Sequence, residues 1–338
     1  MIDKNLVQQL CCLNGTSGDE GAVAEFVQQT LTRQCIPFCK DVLGNIIATV
    51  GQPKPGQPVV MVSAHMDEVA LIVTDIDKDG SLLFDCVGGI SPKVLPGKGV
   101  WVNGHFGTVG IPPVHLCGKE ERSKALAVHD MRIDIGAADK QAASALVQVG
   151  DIAYFDAPFE QLGDKRALCK AADDRLGCAI LLQLCSQPLP LQLHLAFCTQ
   201  EEVGCRGAAV AANTIAPQVA LVLECTTAAD NVQLEESKQV CNLGQGAVIG
   251  FMDRGNVYSR DLVKLAANVA TWQKIPFQYK RGIFGGNDSQ AIAVAGAGCK
   301  TLAISVPARN LHTPSLVFDW GDADATYRLL VAVLNKLC

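Results

Sequence analysis

No stretch of the 338-residue chain is apolar long enough to cross a bilayer: its longest apolar runs stop well short of the roughly 20 residues that a span requires. The start, Met1-Ile-Asp-Lys, is polar and lacks a signal-peptide core, so a cytoplasmic location is the expectation. Lysine and arginine nowhere gather into a cluster, and the net charge of −6 argues against nonspecific binding of nucleic acid. There is no Cys-x-x-Cys pair, no internal repeat and no low-complexity tract. What the chain does have is cysteine. Fifteen cysteines is an odd count, which disfavours a complete set of internal disulfides, and several of them, such as Cys178, Cys185, Cys198 and Cys225, fall on predicted core strands and helices. In a reducing compartment they act as small hydrophobes, and with so many no single one is marked as a nucleophile.

Apolar residues at 49% and charged residues at 18% describe an ordinary globular protein, and the length suggests two domains or one domain with an insertion. From Asp3 to about Gln34 the apolar spacing is helical, broken at Asn14–Gly18, after which Asp19 and Glu20 suit the positive end of a second helix. Asn45–Val50 and Pro58–Ala64 read as strands separated by a Gly- and Pro-rich loop. Between about Val69 and Gly163 the texture changes to short strands with Gly, Pro and Asp turns: Leu71–Asp75, Leu82–Val87, Gly99–Val102, Gly107–Ile111, Met131–Ile135 and Asp151–Phe155. Such spacing without long helices predicts a small barrel. After Lys170, strands at 191–198, 219–223, 247–251 and 300–306 alternate with helices near 174–186, 258–273, 287–295 and 321–337. The predicted fold is therefore α/β, with a mixed, mostly parallel sheet and helices on both faces. Residues 1–68 and 164–338 form that domain, and 69–163 form an inserted, barrel-like β domain.

Within the α/β part, residues that ligate metals recur where apolar strands end. Val59–Ala64 leads to His65 and Asp67, 191–198 to Glu201 and Glu202, Val219–Leu223 to Glu224, and Leu302–Val306 through Pro307–Leu311 to His312. If those strands are parallel, the four ends converge on one crevice, the place where open α/β sheets bind ligands. A Glu-Glu pair by itself is usually a solvated face. Asp173-Asp174-Arg175 adds a fifth contribution before an apolar helix, where one aspartate can cap the helix while the other binds.

Two histidines and several carboxylates, with no cysteine among them, favour zinc, cobalt or manganese. Three ligating carboxylates plus a hydroxide carry −4, which balances two divalent cations rather than one. Two ions about 3.5–4 Å apart would share a bridging carboxylate and a bridging water, leaving the extra glutamate as a general base. The remaining histidines are weaker candidates: His194 lies within a strand, and His105, His115 and His129 fall in the insertion. His115, in Pro112-Pro-Val-His-Leu116, is a weak candidate for reaching the active site of a neighbouring subunit.

His65-Met-Asp-Glu, Ala172-Asp-Asp-Arg-Leu-Gly, Thr199-Gln-Glu-Glu-Val-Gly-Cys-Arg-Gly and Arg309-Asn-Leu-His-Thr-Pro together resemble the tetrahedral aminopeptidase family, the glutamyl or deblocking aminopeptidases once mislabelled as cellulases. Ser17-Gly-Asp-Glu, Ile133-Asp-Ile-Gly-Ala, Leu243-Gly-Gln-Gly and Gly285-Gly-Asn-Asp-Ser extend the resemblance over nearly the whole chain. The resemblance implies a dinuclear metallo-aminopeptidase in which Asp173 bridges two ions, His65 and Glu224 complete one site, and Glu202 and His312 the other. It also implies that Glu201 is the general base, that Asp67 orients His65, and that the inserted domain serves assembly or acts as a lid. Glu224 stands where many members have aspartate, and Gly285-Gly-Asn-Asp-Ser replaces the more frequent Gly-Gly-Thr-Asp-Ala.

The expected activity is release of N-terminal residues from short peptides by a homo-oligomer, with a tetrahedral dodecamer the assembly the family suggests, and with zinc ahead of cobalt or manganese. A metal-dependent carboxypeptidase or deacylase uses the same two-ion chemistry, and a non-catalytic, regulatory descendant of a peptidase is the reading from another class. Glycoside hydrolysis by Glu201 and Glu202 is disfavoured, since catalytic carboxyls must flank the scissile bond at about 5 Å or more and the histidines would be unexplained.

Overall fold

A computed structural model describes residues 1–112, 126–231 and 234–337. The chain divides into two compact units, one of Met1–Asp67, Phe159–Leu311 and Ser315–Cys338, the other of Glu68–Pro158 with His312–Pro314.

The first unit is built on an eleven-stranded mixed sheet. At its centre lie four adjacent parallel strands in the order Leu193–Cys198, Val60–His65, Val219–Thr227 and Lys300–Arg309. Antiparallel strands flank them, Ile46–Val50 and Phe38–Lys40 on one side, Leu316–Asp319, Arg166–Cys169 and Glu160–Leu162 on the other. The sheet is mixed as the sequence predicts, with the parallel pairing concentrated in its middle. All six residues of Val60–His65 are buried; because neighbours along a strand point to opposite faces, both faces of the sheet are covered there. The helix Ala172–Leu184, buried nearly all round, packs on Val60–His65 and Val219–Thr227. The amphipathic helix Arg260–Trp272 pairs with Trp320–Leu334.

The second unit holds a closed barrel of Ala70–Ile76, Leu82–Val87, Arg132–Asp134, His105–Gly110, Gly99–Val102 and Ile152–Phe155. Along Phe106–Gly110 exposed and buried residues alternate, as expected of a strand with one face turned inward. Leu71, Leu82, Val100, Val102, Val109 and Ile133 fill its core. No described helix is long and apolar enough to cross a membrane. The described cysteines form no disulfide, and Cys178, Cys185, Cys198 and Cys225 are buried, as packing residues would be.

Candidate active site

The four central strands carry the candidate ligands because their register brings the ends level. Cys198 pairs with His65 across one ladder. Across the next, Val222 pairs with Ser63, so two residues further on Glu224 stands level with His65. The side chains meet there: His65 Nε2 lies 3.3 Å from Glu224 Oε1 and 3.5 Å from Asp173 Oδ1. Asp173 arrives from the distorted first turn of Ala172–Leu184, where Asp173 and Asp174 have non-helical backbone angles and are joined by a cis peptide. Of the two aspartates, Asp174 does the capping, its Oδ1 accepting from the Gly177 N–H at 2.9 Å, and this leaves Asp173 facing His65. A Cβ at position 177 would collide with the Asp174 carboxylate, so the cap requires glycine.

Asp67 organises the loop after Leu193–Cys198. Its Oδ1 accepts from the backbone N–H of Glu201 at 3.0 Å, and its Oδ2 accepts from the N–H of Glu202 at 3.1 Å and from the Ser17 hydroxyl at 2.6 Å. The imidazole of His65 is fixed chiefly by the Asp67 backbone carbonyl, 3.0 Å from Nδ1, with Oδ1 of the same residue at 3.4 Å. Donation by Nδ1 leaves Nε2 as the nitrogen available to a ligand. Glu20 braces the same loop, taking the N–H groups of Gly18 and Gln200, each at 3.0 Å. Asn45 closes its far side: the side-chain oxygen accepts from Thr199 N–H at 2.8 Å and its amide donates to the Gly207 carbonyl at 2.9 Å. A Cβ on Gly207 would run into Thr199 and Asn45, so this close approach also needs glycine.

Held this way, the two glutamates point to different company. Ligand atoms of Glu202, His65 and Asp173 lie within 4.8 Å of one another, and so, separately, do those of Glu201, Cys205 and Asp288. His194 is bonded to Thr49, with Nδ1 and Oγ1 3.3 Å apart, and takes no part in either group. His312 belongs to the second unit, where Nδ1 lies 2.9 Å from the Gly89 carbonyl. His105 lies on a barrel strand and His129 in a short, exposed helical turn of the same unit. His115 falls outside the described residues.

The electrostatics follow from crowding acids at a buried strand edge. Burial opposes a charge on His65, yet the carboxylates of Glu224, Asp173 and Asp67 together hold its proton well above the ordinary histidine range. Burial likewise works against a charged Asp67, but hydrogen bonds from His65, Ser17 and the Glu201 N–H bring its carboxyl below the usual value. Burial, reinforced by Asp288, Asp173 and Asp67 and opposed by His65, pushes the Glu201 carboxyl up to about 7. The Glu224 carboxyl is raised well above its usual range, first by burial and then by Asp173, and its Oε2 is buried without a hydrogen bond. Donors around one tetrahedral ion at about 2.0–2.1 Å are separated by about 3.3 Å. The 3.3 and 3.5 Å contacts of His65 Nε2 match that spacing, so the donor chemistry and the unspent oxygen of Glu224 fit a divalent cation.

Several contributors carry no signal of their own in the sequence. Ser17, Glu20 and Asn45 act only through contacts that folding creates, although Ser17 and Glu20 lie within a motif that stands out. Arg175, fully buried, ties the start of the chain to the site by donating to the carbonyls of Met66, Leu10, Leu13 and Gly15. Asp288, 1% exposed, is the further acid that the fold brings beside Glu201.

A histidine ringed by carboxylates at the carboxyl ends of parallel strands, with one more carboxyl held near neutrality beside it, is the kind of centre that hydrolytic enzymes use. Residues 44–329 match the model of the M42 glutamyl aminopeptidase family, and the chain belongs to that family, which makes it a peptide-bond hydrolase by class. It is 32% identical over 335 residues to a putative aminopeptidase of Acetivibrio thermocellus, with 98% of each chain covered. It is also 29% identical to the lysyl aminopeptidase of Pyrococcus furiosus (100% and 98% covered) and 28% identical to the glutamyl aminopeptidase of Lactococcus lactis subsp. cremoris (100% and 96% covered). Among solved structures it resembles the TET aminopeptidase of a marine-sediment Thaumarchaeota archaeon, with a TM-score of 0.93, 29% identity and 98% and 95% of the chains covered. It resembles as well a Pyrococcus horikoshii TET1 peptidase that assembles into a tetrahedron or a large octahedral shell, with a TM-score of 0.84, 30% identity and 97% and 98% covered.

Proposed function

We propose that the protein is a metal-dependent aminopeptidase that removes N-terminal residues from short peptides using two divalent cations, zinc the first choice on donor chemistry. His65, Asp173 and Glu224 would hold one ion; Asp173, Glu202 and His312 would hold the second. Bound there, the ions would polarise the scissile carbonyl and lower the pKa of a water molecule.

The chain's own residues supply the remaining work. Asp67 keeps Glu201 and Glu202 in place by their backbone N–H groups, so that each carboxylate serves a separate purpose. Glu201, whose carboxyl sits at about 7, is suited to accept a proton from the attacking water and deliver it to the leaving amine near neutral pH. The observation that carries this reading is the separation of the two glutamates into different clusters over one aspartate. The barrel unit would serve assembly or cover the site, and by likeness to the shell-forming relatives the working form would be a homo-oligomer with a tetrahedral dodecamer the first candidate.

The test is a panel of aminoacyl anilides with acidic, basic and apolar residues, run beside N-acyl amino acids and peptides blocked at the N-terminus. Hydrolysis of the free-amine substrates alone, abolished by a chelator and restored by zinc, cobalt or manganese, supports the proposal. Preference for the N-acyl substrates would favour a deacylase, and chelator-insensitive turnover would contradict metal dependence.

A further inference from the structure

We propose that Glu201, Cys205 and Asp288 form a second, inhibitory cation site, one that takes a thiophilic divalent ion such as zinc or cadmium when it is in excess and thereby removes Glu201 from proton transfer. The inhibitory half rests on the reading of Glu201 as the base; the site itself does not.

The three residues offer two carboxylates and a thiol with ligand atoms within 4.8 Å of one another. Cys205 Sγ lies 3.4 Å from Glu201 Oε1, and on its other side Gln290 Nε2 approaches the sulfur at 3.1 Å. Asp288 is the decisive member. Neither of its buried oxygens accepts a hydrogen bond that meets ordinary geometry, and its close polar company is the thiols of Cys198 and Cys205. A charged carboxylate without N–H or O–H donors in a buried site is costly, and it asks for a proton or a cation. Its position is not slack: the adjacent Asn287 donates to Asp253 Oδ2 at 3.2 Å and to the Tyr258 hydroxyl at 2.9 Å, and that hydroxyl in turn donates to Asp253 at 2.6 Å.

The donor set also separates this site from the one beside it. His65, Asp173, Glu202 and Glu224 provide nitrogen and oxygen, whereas here a sulfur is present, which selects zinc or cadmium over magnesium, calcium or manganese. Cys205 sits in the left-handed region at φ +54°, immediately before the helix Arg206–Ile215; burial and the neighbouring Asp288 and Glu201 hold its thiol proton well above the usual range, so the thiolate forms only as a cation displaces that proton. Binding therefore releases that proton and leaves a sulfur–metal bond. With its carboxylate bound to a cation, Glu201 is a much weaker base and is held away from the water it would deprotonate.

The test titrates the metal-loaded protein with cadmium, following sulfur-to-cadmium charge-transfer absorption, and separately measures peptidase rate against added zinc. Wild type is compared with Cys205→Ala and Cys205→Ser, each rate normalised to that variant's own rate without excess zinc, with thermal melting to verify the fold. The exposed thiols of Cys12, Cys35 and Cys39 contribute equally to all three proteins. The expected result is the loss of one cadmium–thiolate equivalent in both variants and a zinc inhibition midpoint raised at least ~10-fold. Unchanged absorption in a folded variant would overturn the site. Loss of that equivalent without zinc inhibition of the wild type would retain the site and overturn its inhibitory role, and with it the assignment of Glu201 as base would fall only if Glu201→Gln also retained turnover.

Discussion

The Asp67 carboxylate grips the loop of Glu201 from below: Oδ1 accepts the Glu201 N–H at 3.0 Å while Oδ2 takes the next N–H, that of Glu202, at 3.1 Å. One aspartate thus fixes the backbone of two adjacent acids, and their side chains are free to part. Replacing Asp67 with Asn keeps the shape but turns an amide N–H₂ toward groups that need acceptors. The expected outcome is a metal affinity lowered by about 10–100-fold together with a fall in kcat. Metal dissociation constants and turnover measured at saturating metal check both, and wild-type values for both would contradict the role.

The three acids around His65 predict its titration. In the ion-free protein, Glu224→Gln removes the strongest attractive charge on the ring and should lower the His65 pKa. Imidazole NMR titration follows it directly. A pKa that stays where it was would mean that Asp173 and Asp67 suffice.

Stability of the ion-free chain should fall as pH rises toward 8. Burial lifts the carboxyls of Glu201, Asp288 and Asp322 each to about 7, so the folded chain holds their protons more tightly than the unfolded chain does. That contribution is complete below the ordinary carboxyl range and is lost as pH climbs through about 7; the raised His65 acts in the same direction. Asp67, shifted the other way, loses its contribution only in acid. Scanning fluorimetry with a chelator present should show melting at least ~2 °C lower at pH 8 than at pH 6, and a higher melting temperature at pH 8 would contradict the balance of charges.

Asn45→Ala tests the outer clamp of the loop. The change strands the buried N–H of Thr199 and the carbonyl of Gly207, and should destabilise the fold by roughly 2–3 kcal/mol. Urea unfolding measures it. A cost under about 0.5 kcal/mol would show that water or another group replaces the amide.

The sequence revealed those parts of the molecule whose pattern is local. All six barrel strands fall where alternating apolar residues and turns put them, and the four strand ends rich in His, Asp and Glu are the contiguous parallel strands of the sheet. The short flanking strands Phe38–Lys40, Arg166–Cys169 and Leu316–Asp319 leave no legible pattern in the sequence, since three or four residues cannot establish a period. The helix Arg206–Ile215 is equally hard to see in the sequence, its first turn interrupted by Gly207 for the sake of Asn45. Glu20 shows a local rule overridden by tertiary structure: it stands before the helix Gly21–Arg33, but its carboxylate makes no cap bond there and accepts from Gln200 instead. Asp288 lies in the motif Gly285-Gly-Asn-Asp-Ser, but its role is not legible in one dimension because its meaning is its distance from Glu201, 87 positions earlier in the chain.

The most direct test of the division of labour between the paired glutamates is to measure bound metal and kcat in Glu201→Gln and Glu202→Gln side by side. Glu201→Gln is expected to keep its full metal complement while kcat drops by at least ~10²-fold, and Glu202→Gln to bind less metal. Near-wild-type turnover in Glu201→Gln, or equal loss of metal from both variants, would contradict that division of labour.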